Sequence, residues 1–283
     1  MNRFTLISSG FCFLLLAISL VACKNQNTNH LETGKQEDMT QFADDQKFKE
    51  AHDQPEDITL KSVEKAISFP TPDEKEGSAF AILPPGKTKK YLFVIHEWWG
   101  LNDHVRQEAQ HLYDELDNVA VLALDMYDGK FTDDRDEAGK LMQSLTQERA
   151  EAIIKGALAF AGEDAEIGTI GWCFGGGWSL HSAIMAGEQG IACVMYYGMP
   201  VQNAAELAPI EADILGIFAQ NDGWITPEVV TNFENLAKAT GKDIEIHQFD
   251  ADHAFANPSN PNFDAEAAQH ADALSLDFLR DRL

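Results

Sequence analysis

Cysteine and basic side chains are both scarce in this chain of 283 residues. Four cysteines are too few for a disulfide-built scaffold, and no two of them form the C-x-x-C pattern of thiol redox proteins. Only 21 lysines and arginines stand against 46 acidic residues, which gives a formal net charge of -25. Because so acidic a protein repels a phosphate backbone, we expect no nucleic-acid partner.

Long hydrophobic runs are also rare. The apolar stretch from Phe11 to Val21 is short for a membrane-spanning helix and ends in small residues, as a secretory signal does. The residues from Leu20 to Cys23 resemble the lipobox of bacterial lipoproteins, which implies cleavage before Cys23 and diacylglyceryl attachment to its sulfur. We therefore predict a lipoprotein signal peptide over residues 1–22. An ordinary secretory signal and a buried helix of the fold are the alternatives.

A lipid on Cys23 would anchor the protein to a membrane of the bacterial cell envelope, on its periplasmic side. Lys24 follows the cysteine, which resembles lipoproteins sent to the outer rather than the inner membrane. Residues 23–57 contain few apolar side chains and many amides and charges, so we expect a lipid-anchored flexible tether. Within this segment, Phe42 and Phe48 are compatible with a short helix that packs on the folded domain. We expect the folded domain to span residues 58–283.

The rest of the chain alternates short apolar runs with amphipathic segments. The runs predict eight strands: Ile58–Phe69, Ser78–Leu83, Tyr91–His96, Val119–Leu124, Ile167–Gly171, Ile191–Tyr197, Ile214–Ala219 and Ile244–Phe249. Helical patterns include Asn102–Asp117, a segment from Thr226 to about Ala239, and one from about Asp264. This alternation predicts an α/β fold, a mostly parallel sheet of about eight strands with helices on both faces. No helical pattern separates the first two strands, so we expect an antiparallel start.

The segment from Gly171 to Gly175 has the pattern G-x-C-x-G, the cysteine form of the G-x-S-x-G nucleophile elbow. A sharp turn from strand into helix strains the middle residue and leaves no room for large flanking side chains. It also places the sulfur of Cys173 at a helix N-terminus, where the helix dipole favours a thiolate. The alternative is a glycine-rich corner with an incidental buried cysteine.

A nucleophilic thiol needs a base, and the base needs an orienting acid. In α/β-hydrolases the chain order is nucleophile, acid, histidine, and ligands lie beyond the carboxyl ends of the strands. Asp222 and His253 each follow a predicted strand in that order. Asp250 and Asp252 compete for the role of the acid from the histidine's own loop, and Asp222 is also a plausible turn former.

Taken in order, five motifs resemble the dienelactone hydrolase family, the cysteine branch of the α/β-hydrolase fold. They are Val94 to Asn102, Gly171 to Gly176, Tyr196 to Gly198, Asp222, and His253 to Pro258. The resemblance implies a catalytic triad of Cys173, His253 and Asp222 that hydrolyses a small-molecule ester or lactone through a thioester acyl-enzyme. It implies no metal and no organic cofactor for the reaction.

The resemblance also implies a fourth participant, Glu97, which in the family contacts the resting cysteine and helps to deprotonate it when substrate binds. A carboxylate beside a thiol raises the thiol's pKa by like-charge repulsion. The alternatives are a solvated loop residue or a metal ligand, although the H-E-x-x-H pattern is not completed here. By resemblance, the backbone N–H groups of Trp98 and Phe174 form the oxyanion hole.

The substrate pocket is where the sequence departs from the family. We expect Trp99, Tyr197, Trp224 and Asn257 to line it, although tryptophans also pack cores. Asn257 stands where the family has an arginine that grips a substrate carboxylate, and a neutral amide cannot give that bidentate charged contact. A small anionic lactone is therefore not implied as the substrate. A lipoprotein that uses the hydrolase fold only to bind a ligand or partner is the alternative function.

Overall fold

An eight-stranded sheet forms the centre of the domain. The computed structural model describes Met1 and residues 38–55, 58 and 66–283. The strands are β1 (Ala66–Pro70), β2 (Glu76–Ile82), β3 (Lys90–Ile95), β4 (Ala120–Leu124), β5 (Glu166–Trp172), β6 (Gly190–Tyr196), β7 (Asp213–Ala219) and β8 (Ile244–Phe249). Their order across the sheet is β1-β2-β4-β3-β5-β6-β7-β8.

The pairing of the strands confirms the predicted α/β class with its antiparallel start. Strand β2 pairs antiparallel with β1 and with β4, and the remaining neighbours are parallel. All five residues of β4 are buried, as a continuously apolar strand of a covered parallel sheet should be. The first strand differs from its predicted bounds: it begins at Ala66 rather than Ile58, and residues 59–65 lie outside the described part of the chain.

The helices of the described residues are α1 (Gln46–Glu50), α2 (Asp103–Glu115), α3 (Arg135–Ser144), α4 (Gln147–Ala161), α5 (Phe174–Ala186), α6 (Ala204–Leu207), α7 (Pro227–Ala239) and α8 (Ala265–Arg280). Of these helices, all but α5 begin where a capping side chain accepts a hydrogen bond from a first-turn N–H group. Asn102 caps α2, Thr226 caps α7 and Asp264 caps α8 by accepting backbone hydrogen bonds. All three helical segments named from the sequence are therefore present, within two residues of their predicted bounds.

Residues 38–55, here named the N-terminal cap, fold against the domain. They contain a 3-10 turn, Met39–Phe42, and helix α1, whose Phe48 is fully buried. Salt bridges join the cap to the start of α3, from Lys49 to Asp136 and from Arg135 to Asp53. The expected flexible tether therefore does not extend over these residues, because Met39 and Phe48 find apolar partners on the domain.

The predicted signal peptide, Cys23 and the remainder of the predicted tether lie outside the described residues. Within the part of the chain that the structure describes, no helix combines the length and apolar character needed to cross a bilayer.

Candidate active site

Cys173 occupies a strained turn between β5 and α5. It is the N-cap residue of α5, with φ 53° and ψ -117°, a backbone conformation that side-chain-bearing residues rarely adopt. A Cβ atom on Gly171 would overlap the carbonyl oxygen of Gly175, and one on Gly175 would overlap that of Ile95. Both glycines of the G-x-C-x-G pattern are therefore required by close backbone approach, as the sequence predicted.

Three side chains from separate strand ends meet at this turn. Nε2 of His253 lies 3.5 Å from Sγ of Cys173, and Nδ1 lies 2.6 Å from Oδ2 of Asp222. Because a carboxylate only accepts, Nδ1 carries the proton and Nε2 faces the sulfur. The other oxygen of Asp222 accepts the backbone N–H groups of Trp224 and Ile225, at 2.8 and 3.0 Å. Asp222 thus forms its turn and orients the histidine at the same time.

Burial and charge set the protonation of these groups. Burial disfavours the imidazolium, but the carboxylate of Asp222 and its hydrogen bond outweigh that effect and raise the pKa of His253 to about 10. Burial also raises the pKa of the Cys173 thiol, and His253 opposes that rise while the charge of Glu97 adds to it. Burial thus opposes a free thiolate, whereas the Asp222 carboxylate makes His253 more basic than an ordinary imidazole.

Glu97 follows β3 and is held by an amide from the other end of the chain. Nδ2 of Asn257 donates to its Oε2 at 2.5 Å, and its Oε1 has no hydrogen-bond partner among the described residues. Burial raises the pKa of Glu97 to about 7, although His253 and Asn257 pull it down. Glu97 acts on Cys173 through its charge, whereas its hydrogen bond goes to Asn257 rather than to the sulfur.

Of the two residues expected to supply the oxyanion hole, Phe174 directly follows Cys173 in the chain, and Trp98 lies in the loop after β3. Phe174 is the first residue of α5, and its backbone N–H helps to lower the pKa of Cys173. Trp98 comes directly after Glu97, and its fully buried indole packs against the rings of Phe48 and His52, with centroids 5.3 and 4.9 Å away. Its indole N–H has no partner among the described residues.

A cavity of about 600 Å³ lies beside these groups. Of the expected pocket residues, Trp99, Tyr197 and Asn257 line it together with Glu97. Trp224 instead packs against His253, with ring centroids 5.5 Å apart, and is not among the described lining residues. The indole N–H of Trp224 donates to Asp45 of the cap at 3.3 Å, so its hydrogen bond is made with the cap.

The cap contributes residues that the sequence analysis did not place in the site. The ring of Phe48 lies 5.8 Å from that of His253 and 5.3 Å from that of Trp224. The ring of His52 lies 5.5 Å from that of His253. Cys173 is fully buried under this cover. Asp45 is the N-cap of α1 and precedes Phe48, so the sequence alone could have indicated a helix start inside this polar segment.

His96, the first residue of the H-E-W-W-G motif, has a structural role. Its Nε2 accepts the backbone N–H of Met126 at 3.2 Å, so its Nδ1 carries the proton and donates to the carbonyl of Glu97 at 2.6 Å. Burial lowers the pKa of His96 and keeps the ring neutral. The side chain therefore joins the loop after β3 to the loop after β4.

The sheet order and the turn at Cys173 define the α/β-hydrolase fold. The model of the dienelactone hydrolase family matches residues 78–283, and the chain belongs to that family. It is thus a hydrolase of the dienelactone hydrolase type.

Individual relatives agree with this assignment. The chain is 28% identical over 204 residues to protein usf of Aquifex pyrophilus, covering 68% of this chain and 88% of the relative. It is 27% identical over 225 residues to a carboxymethylenebutenolidase of a Pseudomonas species, covering 74% of this chain and 92% of the relative.

Two solved structures show the same fold. A dienelactone hydrolase-like promiscuous phosphotriesterase from metagenomic libraries superposes with a TM-score of 0.66, at 22% identity, over 77% of this chain and 98% of that one. A dienelactone hydrolase from Anabaena variabilis superposes with a TM-score of 0.56, at 21% identity, over 81% of this chain and 99% of that one.

Proposed function

We propose that this protein hydrolyses carboxylic esters or lactones through a triad of Cys173, His253 and Asp222. The observation that carries the proposal is the pair of contacts made by His253, 3.5 Å to Sγ and 2.6 Å to the Asp222 carboxylate, at a strained strand-to-helix turn. Nucleophile, base and orienting acid are within the reach that nucleophilic catalysis needs. A family relative whose name is carboxymethylenebutenolidase, matched over 92% of its length, supports the same reaction class.

The reaction begins when His253 or Glu97 takes the thiol proton and the sulfur attacks the carbonyl carbon. The tetrahedral oxyanion is stabilised by the backbone N–H groups of Trp98 and Phe174, worth roughly 2.7–4 kcal/mol per donor. As the intermediate collapses, the alkoxide leaves with the proton from His253 and a thioester remains. His253 then removes a proton from water, the hydroxide displaces the sulfur, and the acid product leaves the thiol regenerated.

Glu97 provides a second proton site next to the triad. With a pKa of about 7, its carboxyl group exchanges a proton near neutral pH. Its negative charge raises the pKa of Cys173, so the resting thiol is protected from oxidation and alkylation. Substrate binding that displaces or protonates Glu97 removes this repulsion and favours the thiolate.

The cavity beside the triad favours an uncharged substrate with an apolar or aromatic acyl group. Its described lining contains Glu97, Glu108 and Asp272 but no lysine or arginine. Trp99, Trp172 and Tyr197 supply aromatic surface. A substrate carboxylate would meet acidic side chains there and no lysine or arginine to pair with.

Turnover of a chromogenic short-chain ester tests the proposal. We expect the wild-type chain to hydrolyse p-nitrophenyl acetate and butyrate, and Cys173→Ala to lose the activity. Cys193→Ala is the matched control, because Cys193 is also fully buried but lies in β6 away from the triad. Equal activity in wild type and Cys173→Ala would contradict the triad. A wild type that binds such esters without turnover would support the alternative of a ligand-binding lipoprotein.

We also propose that Cys23 carries the lipid that anchors the protein to the cell envelope, facing the periplasm and more readily at the outer membrane. The lipobox-like sequence before Cys23 supports this proposal, and a diacylated cysteine gives the two chains that stable anchoring needs. Cells fed radiolabelled palmitate should label the wild-type chain and leave Cys23→Ala unlabelled. Labelling that persists in Cys23→Ala would contradict it.

A further inference from the structure

His52 of the cap lies close to Cys173 and His253, and the three side chains together could hold a metal ion. A ring nitrogen of His52, Sγ of Cys173 and a ring nitrogen of His253 lie within 4.8 Å of one another. All three residues are buried, with exposed fractions of 1%, 0% and 1%. Nε2 of His52 is buried and has no hydrogen-bond partner among the described residues. A buried nitrogen without a hydrogen-bond partner costs folding free energy unless a bound ligand interacts with it.

Both imidazoles are already oriented as metal ligands are. Nδ1 of His253 is bound to the carboxylate of Asp222, and Nδ1 of His52 is bound to the backbone carbonyl of Phe48 at 2.7 Å. Metal-binding histidines commonly donate the second ring N–H to a carboxylate or a carbonyl, which fixes the tautomer and aims the free nitrogen at the ion. In both residues this free nitrogen is Nε2.

The distances and charges fit a zinc ion. Bond lengths of about 2.3 Å to sulfur and about 2.0–2.1 Å to nitrogen place S and N roughly 3.5 Å apart in a tetrahedron. The Sγ to Nε2 distance between Cys173 and His253 is 3.5 Å. A thiolate with two imidazoles is a donor set that selects zinc over magnesium or calcium. The thiolate and the Asp222 carboxylate together balance the charge of a divalent cation in a buried site.

We propose that His52, Cys173 and His253 form a zinc site, open at its fourth position, that holds the N-terminal cap closed over the triad. The proton of the Cys173 thiol and any proton on Nε2 of His253 pass to solvent when the ion binds, because thiolate and neutral imidazole are the ligands. The ion then occupies the two atoms that ester hydrolysis uses. Zinc is therefore an inhibitor released when the cap opens rather than a cofactor of the reaction.

Cobalt titration of the full-length chain tests the site without any substrate. Cobalt(II) replaces zinc, and its bond to a thiolate produces a near-ultraviolet charge-transfer band, with visible bands typical of tetrahedral geometry. We expect these bands in the wild type and their loss on adding zinc. Cys173→Ala should remove the charge-transfer band. His52→Gln, which keeps a similar volume, should weaken cobalt binding by roughly 100-fold or more, because loss of a direct ligand costs at least as much as loss of an outer-shell partner. His111→Ala is the control.

His111 is a matched control because it belongs to the other candidate ligand cluster, with Glu108 and Asp272. In that cluster Nε2 of His111 is already paired with the carboxylate of Asp272 at 3.3 Å, and both side chains are well exposed, at 40% and 39%. The proposal is overturned if the wild type shows no thiolate band, if His52→Gln binds cobalt as tightly as wild type, or if His111→Ala is the variant that loses binding.

A second measurement guards against a variant that does not fold. Zinc should raise the thermal unfolding temperature of the wild type and leave that of Cys173→Ala unchanged, and an equal rise in both would overturn the site. Inhibition of ester hydrolysis by zinc, weaker in His52→Gln, rests on the proposed function. The cobalt bands do not, so a wild type that binds cobalt but hydrolyses no ester would refute the hydrolase proposal and leave the metal site intact.

Discussion

Asn257 donates a hydrogen bond from Nδ2 to Oε2 of Glu97, with the two atoms 2.5 Å apart. Asn257, which the family resemblance leads us to expect at the position of a substrate-binding arginine, therefore holds the carboxyl group of Glu97. A guanidinium at this position would lower the pKa of Glu97 by its charge, whereas a neutral amide leaves burial as the largest influence. The substitution thus tunes the acid beside the thiol as well as the cavity wall.

Glu97→Gln should stabilise the protein at alkaline pH. The folded-state pKa of Glu97, about 7, lies above its ordinary value of 4.5, so folding favours the protonated carboxyl group. That stabilisation is complete below about pH 4.5 and is lost as the pH rises through 7. Relative to wild type, Glu97→Gln should gain roughly 2–3 kcal/mol in unfolding free energy between pH 5 and pH 8, measured by urea denaturation.

The matched control for that experiment is Glu163→Gln, because Glu163 is exposed in the turn after α4. Its unfolding free energy relative to wild type should be the same at both pH values. A Glu97→Gln variant whose effect is equally independent of pH would show that the carboxyl group is not held in a desolvated position.

Asp222→Asn should abolish most of the hydrolytic rate while preserving the fold. An amide in place of the carboxylate stabilises the wrong tautomer of His253 and cannot stabilise the imidazolium. We expect kcat to fall on the order of 10³–10⁴-fold, measured with p-nitrophenyl butyrate. Asp250→Asn is the control, since Asp250 lies near the histidine but bonds to Asn221. The assignment of the acid is wrong if Asp250→Asn loses the rate and Asp222→Asn keeps it.

Phe48→Ala should expose the catalytic thiol. Phe48 packs between Trp98 and Trp224 over the triad, and its removal takes away the main apolar contact of α1. A cap destabilised by a few kcal/mol opens more often, so alkylation of Cys173 by iodoacetamide should accelerate roughly 10–100-fold, followed by mass spectrometry. Phe160→Ala, which removes a partly exposed ring from α4, should leave the alkylation rate unchanged. An unchanged rate in Phe48→Ala would mean that the cap does not control access.

Gly171→Ala should destabilise the domain strongly, because its Cβ would overlap the backbone of Gly175 at the turn. Backbone cannot move aside as a side chain can, so we expect a loss of roughly 3 kcal/mol or more in urea unfolding. Gly86→Ala is the comparison, since a Cβ atom at that position would meet no atom within 4 Å. Its effect should stay within about 0.5 kcal/mol. Similar losses in both variants would remove the close-approach argument for the G-x-C-x-G turn.

Most of the sheet is predictable from local pattern. The apolar runs predict the last strand at its observed bounds, Ile244–Phe249, and β7 within one residue, because apolar runs covered by helices are local signals. The predicted start of the first strand is wrong. The pattern from Ile58 onward is typical of a strand, but antiparallel pairing with β2 begins at Ala66. Pairing depends on the partner strand, and no local pattern reports it.

The amino-acid sequence by itself determined the turn at Cys173, since the strain of that residue and the space between Gly171 and Gly175 are properties of five consecutive residues. It also contains the chain order of the proposed nucleophile, acid and histidine. Tertiary structure alone decided which groups surround the sulfur. Asn257 meets Glu97 across 160 residues of chain, and His52 arrives from a segment whose composition is that of a tether. A buried position in a polar segment depends on the surface that receives it, here the rings of Trp98 and His253 for His52.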